Sequence, residues 1–205
     1  MKTLKFIVLL LIFTAFVSSS QAQVKIALGL EAGINIANTS ETPSQNSNSK
    51  IGLIAGGSVD IGLSPQISIV PGIRFVQHGN KFTVNAVDVT NTANFLQFPA
   101  LLKVNFPLTE IKPYLAGGPI LGILLSSTQD QSNATQSASI DTKANFETTN
   151  FALLFAGGLD FRVATKTNLF FQVGYELGLS NVSKVVNQTV KTNGFEITGG
   201  VKFGL

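Results

Sequence analysis

Eight segments of this chain, each about thirteen residues long, alternate a bulky apolar residue with a small or polar one. They are Val24–Ile36, Ile51–Leu63, Ile67–Gly79, Asn94–Phe106, Pro113–Leu125, Asn150–Val163, Asn168–Ser180 and Asn193–Leu205. A period of two is the repeat of an extended strand, whose successive side chains point to opposite faces. The segments hold ten charges: Lys25, Glu31, Asp60, Arg74, Lys103, Asp160, Arg162, Glu176, Glu196 and Lys202. All ten fall on the small-and-polar face, five of each sign, and none on the bulky apolar face. That separation assigns a different surrounding medium to each face.

The connections alternate in length. Ser64–Gln66, Pro107–Lys112 and Ala164–Thr167 are short, whereas Ala37–Lys50, Asn80–Ala93, Ser126–Thr149 and Asn181–Thr192 are long. Short turns at one end and long loops at the other predict an up-and-down antiparallel meander with both termini at the short-turn end. An all-β, eight-stranded antiparallel barrel closes such a meander, and two orientations compete. A lipocalin-like carrier turns its apolar face inward, and a transmembrane barrel turns it outward.

Four arguments favour the outward orientation. An eight-stranded barrel has room only for ordinary side-chain filling, so the bulky face would overfill it. Buried charges need partners, and a balanced set of five and five supplies them. A Lys or Arg on the lipid face costs about 2–4 kcal/mol at mid-membrane, which explains its absence there. Finally, Phe106, Phe161 and Phe203 lie at the short-turn ends of the apolar face, and Phe75, Phe151 and Phe195 toward the long loops, as two interfacial girdles would.

The N-terminus has the pattern of an export signal. Lys2 and Lys5 precede an apolar run, Phe6–Val17, interrupted only by Thr14, and Ser18–Ala22 offers small residues for cleavage after Ala22. The expected organisation is a cleaved signal peptide over 1–22 and one barrel domain over 23–205, exported through a Sec-type route to the outer membrane of a Gram-negative bacterium. Elsewhere no apolar run approaches the ~18 residues of a membrane helix. Removing Lys2 and Lys5 from the fourteen Lys and Arg leaves twelve against eleven Asp and Glu, a net charge of +1. No basic patch remains for nucleic acid. One histidine and no cysteine argue against a metal site, and no cofactor is expected.

The candidate chemistry is sparse. His78 lies on the inner face at the loop end of the third segment, near Arg74, and hydrolysis at this site would require Asp60 or Glu176 close by. The ten inner charges either line a pore or form a salt-bridged plug, and the narrowness of eight strands favours the plug. The Ser-, Thr-, Gln-, Asn- and Ala-rich stretch Ser126–Thr149 reads as a mobile solvated loop or as a surface for an unidentified partner or a surface glycan. Asn38, Asn133, Asn181 and Asn187 match glycosylation sequons, as expected by chance in this composition. The leading expectation is a non-enzymatic membrane scaffold presenting four surface loops. A narrow porin or small-solute passage is the alternative, followed by a barrel enzyme acting on lipid or peptide and a secreted lipocalin-like carrier.

Two stretches at the fourth and fifth segments carry a family resemblance: Phe95–Phe106 (FLQFPALLKVNF) and Lys112–Leu125 (KPYLAGGPILGILL). With Gly29–Ile36 (GLEAGINI) and Gly174–Ser180 (GYELGLS), the chain resembles the PorT-like outer-membrane β-barrel domain family of Bacteroidota, eight-stranded barrels of the OmpX/OmpA kind. The resemblance spans the chain after the signal stretch and implies an outer-membrane barrel in contact with lipid. It also implies recognition of the C-terminal strand by the barrel-insertion machinery. Such barrels usually end on an aromatic residue. This chain departs from that pattern, ending Phe203-Gly204-Leu205.

Overall fold

A computed structural model describes residues 25–42, 48–84, 87–106, 111–133 and 136–205, so the signal segment 1–22 lies outside the described residues. The strands are β1 (Lys25–Thr42), β2 (Asn48–Gly62), β3 (Ile67–Val84), β4 (Val87–Asn105), β5 (Ile111–Ser132), β6 (Ser137–Asp141), β7 (Thr149–Ala164), β8 (Thr167–Gly178) and β9 (Thr189–Gly204). Eight of them form an antiparallel ring in the order β1-β2-β3-β4-β5-β7-β8-β9. The ring closes between β1 and β9, with Leu28 opposite Phe203 and Ile36 opposite Phe195. β6 stays outside the ring and pairs with the upper end of β5, from Thr128↔Asp141 to Ser132↔Ser137.

Each predicted segment is a ring strand, but all except β8, which stops at Gly178, run further at the loop end than the alternation indicated. The stretch read as the loop Asn80–Ala93 is largely a continuous hairpin, paired out to Val84↔Val87. The stretch Ser126–Thr149, expected to be a solvated loop, is largely regular in its described residues, although its strand β6 is solvent-exposed throughout. It contains the end of β5, the strand β6 and a single 3-10 turn at Lys143–Asn145. The physical reason is solvent. Beyond the hydrocarbon region the outer face of a strand meets water, so polar residues such as Thr90, Asn91 and Thr92 continue the ladder, and the apolar alternation survives only in short pieces at Phe82 and Val84 and at Val87 and Val89.

The bulky face points outward all around the ring. Leu30 is 62% exposed, Leu53 60% and Phe155 56%. This orientation excludes the inward-apolar packing of a lipocalin-like carrier. The lumen is filled rather than open. One wall is apolar, built from Leu101, Tyr114, Ala116, Ile120, Ala152, Leu154 and Ala156 on β4, β5 and β7. The small residues of the inner face make room for the large ones. A Cβ at Gly158 would overlap the Tyr114 ring, and one at Gly200 would overlap Phe170. Both aromatic rings therefore lie across the lumen over a neighbouring glycine.

Gly79 is a different case, because its φ of +156° disfavours any L side chain. A Cβ there would also overlap the carbonyl oxygen of Asn91 on the paired strand. Gly79→Ala is expected to destabilise the barrel by about 1–3 kcal/mol, the usual cost of a forced backbone region. Gly117→Ala is its control, since a Cβ there meets only ordinary contacts at 3.4 and 3.6 Å. Urea unfolding of both variants in detergent measures the difference, and equal stabilities would contradict the strain argument.

Candidate functional site

Two layers of charge cross the lumen. The lower layer lies toward the short turns and draws one residue from each of four strands: Asp60 of β2, Lys103 of β4, Asp160 of β7 and Lys202 of β9. Lys103 Nζ donates to Asp160 and, at 3.2 Å, to Asp60 Oδ2. Lys202 Nζ donates to Asp160 Oδ1 at 2.8 Å and lies 3.8 Å from Asp60 Oδ2. The two ammonium groups also rest on aromatic faces. Lys103 Nζ is 4.2 Å from the Tyr114 ring centroid and Lys202 Nζ 4.6 Å from that of Phe170. Tyr114 is held in turn by its hydroxyl, which donates to Gln172 Oε1 at 3.1 Å.

The upper layer is centred on Arg74 of β3. Its guanidinium makes a bidentate pair with Glu196 of β9, at 2.7 and 2.8 Å. Nη2 also reaches Glu176 of β8 at 3.4 Å, and Nε donates to Gln97 Oε1 of β4 at 2.9 Å. Glu176 and Glu196 are fully buried, and Arg74 nearly so. The fork geometry of arginine suits this bidentate bond, where a lysine would present a point charge. Gln97 Nε2 donates to Glu176 at 3.0 Å, so the two carboxylates share one cation and Glu176 also accepts from an amide. Glu31 of β1 sits between the layers, where it lines a small void of about 40 Å³ with Arg74 and Lys202.

His78 joins the upper layer. Asn35 Nδ2 lies 3.2 Å from its Nδ1, and Glu176 Oε1 lies 3.4 Å from its Nε2. Gln97 Nε2 lies 3.3 Å from the same Nε2, so an amide NH2 faces each ring nitrogen and the carboxylate shares the Nε2 side. Phe95 packs edge-on against the ring, with centroids 5.7 Å apart. The partners of His78 among the described residues are thus two amides and a carboxylate, with Asp60 in the other layer.

Of the ten charges read from the sequence, seven enter these pairs: Asp60, Arg74, Lys103, Asp160, Glu176, Glu196 and Lys202. Glu31 lies between the layers. Lys25 and Arg162 lie exposed toward the short-turn end, where Arg162 donates to the Thr165 carbonyl at 3.3 Å. The polar residues Asn35, Gln97 and Gln172 were not singled out in the sequence, although each shares the inner face with a charge. Their signal was available: an amide on an otherwise small inner face is a buried group that needs a partner.

Above the upper layer, at the long-loop end, the lumen widens into a cavity of about 270 Å³. Two loops roof it. Glu147 N donates to Val182 O at 2.8 Å and Lys184 N to Asn145 O at 2.9 Å, tying the segment after β6 to the β8–β9 connection. Asn181, one of the sequon asparagines, organises that connection. Its Oδ1 accepts from the Ser183 and Val190 amides, and its Nδ2 donates to Gln188 O.

A family model described as "Outer membrane protein beta-barrel domain" matches residues 20–184. Among solved structures, Neisserial surface protein A superposes with a TM-score of 0.52 at 15% identity, covering 87% of this chain and 96% of that one. The outer membrane protein OprG of Pseudomonas aeruginosa gives a TM-score of 0.52 at 13% identity, covering 90% and 96%. At such identities the likeness is one of fold. No curated protein matches the sequence. With an apolar exterior, a charged lumen and a family match over most of its length, this chain belongs to the outer membrane protein β-barrel domain family and resides in the outer membrane of a Gram-negative bacterium.

Proposed function

We propose that this protein is a non-conducting, non-catalytic membrane scaffold whose role lies in the surface its long-loop end presents. The observation that carries this reading is the Arg74–Glu176–Glu196 layer, which joins β3, β8 and β9 across the lumen in buried ion pairs. A conducting path would have to break them. Among the described residues His78 is flanked by two amides and a carboxylate, with no hydroxyl or thiol nucleophile as a partner, which weighs against hydrolysis. In this reading the chain is a PorT-like barrel of Bacteroidota, exported by cleavage of residues 1–22. The insertion machinery takes it up through β9, and the loops meet a surface partner.

Planar-bilayer recording of the purified full-length barrel tests the closed lumen. No discrete conductance steps are expected across physiological voltages. Reproducible unitary openings would overturn the scaffold reading in favour of a narrow pore for small solutes.

A further inference from the structure

We propose that the cavity above the Arg74 layer is a binding site for a single neutral sugar unit. The cavity measures about 270 Å³, slightly below the ~300–1,000 Å³ range of drug-sized pockets, which suits one saccharide ring. It opens at the end carrying the long loops, which in outer-membrane barrels faces the cell exterior.

The lining sets the ligand chemistry. It contains no Asp, Glu, Lys or Arg among the described residues. Its polar groups are side-chain amides, among them Gln129, Asn145 and Gln188, together with Ser and Thr hydroxyls and, at the floor, the imidazole of His78, whose nitrogens face Asn35, Gln97 and Glu176. Amides and hydroxyls both donate and accept, as the hydroxyls of a sugar do, and they offer no counter-charge to a carboxylate, phosphate or ammonium. The remaining surface includes three phenyl rings, Phe82, Phe95 and Phe146. A pyranose ring has C–H faces that bury favourably on such rings while its hydroxyls point sideways to the amides.

The surroundings preserve this neutrality. Arg74 lies beneath the floor, but its guanidinium is committed to Glu196, Glu176 and Gln97 and is not offered upward. Lys50 packs its stem near Gly79, a lining residue, but is not itself part of the lining. The roof is built rather than incidental. Backbone bonds from Glu147 to Val182 and from Lys184 to Asn145 hold Phe146 over the cavity. The charged layer closes the bottom, so the site captures a ligand and does not pass it on.

The inference rests on the loop end being a recognition surface, and binding is measured separately from conductance. A non-conducting barrel that binds no sugar would therefore sink this inference alone. The test uses the full barrel refolded in detergent micelles, with NMR of isotope-labelled phenylalanine. Glucose, galactose and N-acetylglucosamine are titrated, followed by the uronate and amino-sugar counterparts of whichever binds best. At least one neutral sugar is expected to shift Phe resonances saturably, with its charged counterparts weaker by about tenfold or more. Phe146→Ala and Gln188→Ala should each weaken binding by about fivefold or more, with unchanged heat-modifiable migration on a denaturing gel. The two variants lie in different roof segments, so loss of fold in one leaves the other to decide. No saturable shift with any of the three sugars on a folded barrel overturns the proposal. So does equal binding of the uronate, or undiminished binding by a folded variant.

Discussion

Replacing Arg74 with methionine is expected to destabilise the folded barrel by about 3–5 kcal/mol, the usual consequence of removing one partner from a buried charge network. The expectation follows from what is left behind. Glu176 and Glu196 are both fully buried, on neighbouring strands, and Arg74 is the cation that both contact. Without it two carboxylates face each other with no counter-charge, and Gln97 Oε1 loses its donor. The measurement is urea unfolding of the parent and the variant in the same micelles. A second variant isolates the cause. Adding Glu176→Gln and Glu196→Gln to Arg74→Met removes the orphaned charges while keeping the side-chain shapes, and should recover more than half of the lost stability. A loss below about 1 kcal/mol in the single variant would mean that water reaches the carboxylates, and the closed upper layer would have to be abandoned.

The second large effect concerns the exterior. Leu30→Arg is expected to cost about 2–4 kcal/mol when the barrel is folded into phosphatidylcholine vesicles, the depth-dependent cost of a cation facing lipid near mid-membrane. Leu30 points outward from β1, opposite Val201 of β9 and between the two rows of phenylalanines. Val186→Arg is the paired control. Val186 is even more exposed, at 84%, but lies in the connection between β8 and β9, at the long-loop end. In water an exposed Val→Arg change should shift stability by no more than about 0.5 kcal/mol. Exposure alone would rank Val186 as the worse site, so the opposite order is a direct reading of which medium each residue meets. Equal effects at the two positions would contradict a lipid-facing surface.

Much of the molecule was legible because the membrane imposes a strict rule on a short repeat. A residue at 28, 30 or 34 either faces hydrocarbon or it does not, and a misplaced charge costs several kcal/mol, so β1 carries its alternation from Lys25 to Ile36. The same rule explains where the reading stopped. Past Ser126 on β5 the chain leaves the hydrocarbon, both faces become polar, and the strand continues unannounced, while past Asn80 on β3 only Phe82 and Val84 keep the alternation. The cap that Asn145, Phe146, Val182 and Lys184 form over the cavity rests on backbone hydrogen bonds between segments far apart in the chain. Backbone bonds of this kind leave no side-chain pattern behind.

The candidate site divides in the same way. That Arg74, Glu176 and Glu196 share an inner face followed from their parity along three strands. That they meet each other, while Lys103 and Lys202 meet Asp60 and Asp160 in a separate layer, did not follow. The Arg74–Glu196 pair joins residues 122 positions apart, on strands that are not neighbours in the ring.

The sequence by itself therefore determined the strand repeat, the ring of eight and the medium on each side of the wall, because each depends only on which face a residue occupies. The tertiary structure alone decided the pairing of the charges, the two-layered lumen and the neutral cavity beneath the loops. Those depend on how far each strand is staggered past the next. Stagger is a property of the closed ring. Shifting a strand by two residues leaves every side chain on the same face and changes every partner it meets across the lumen.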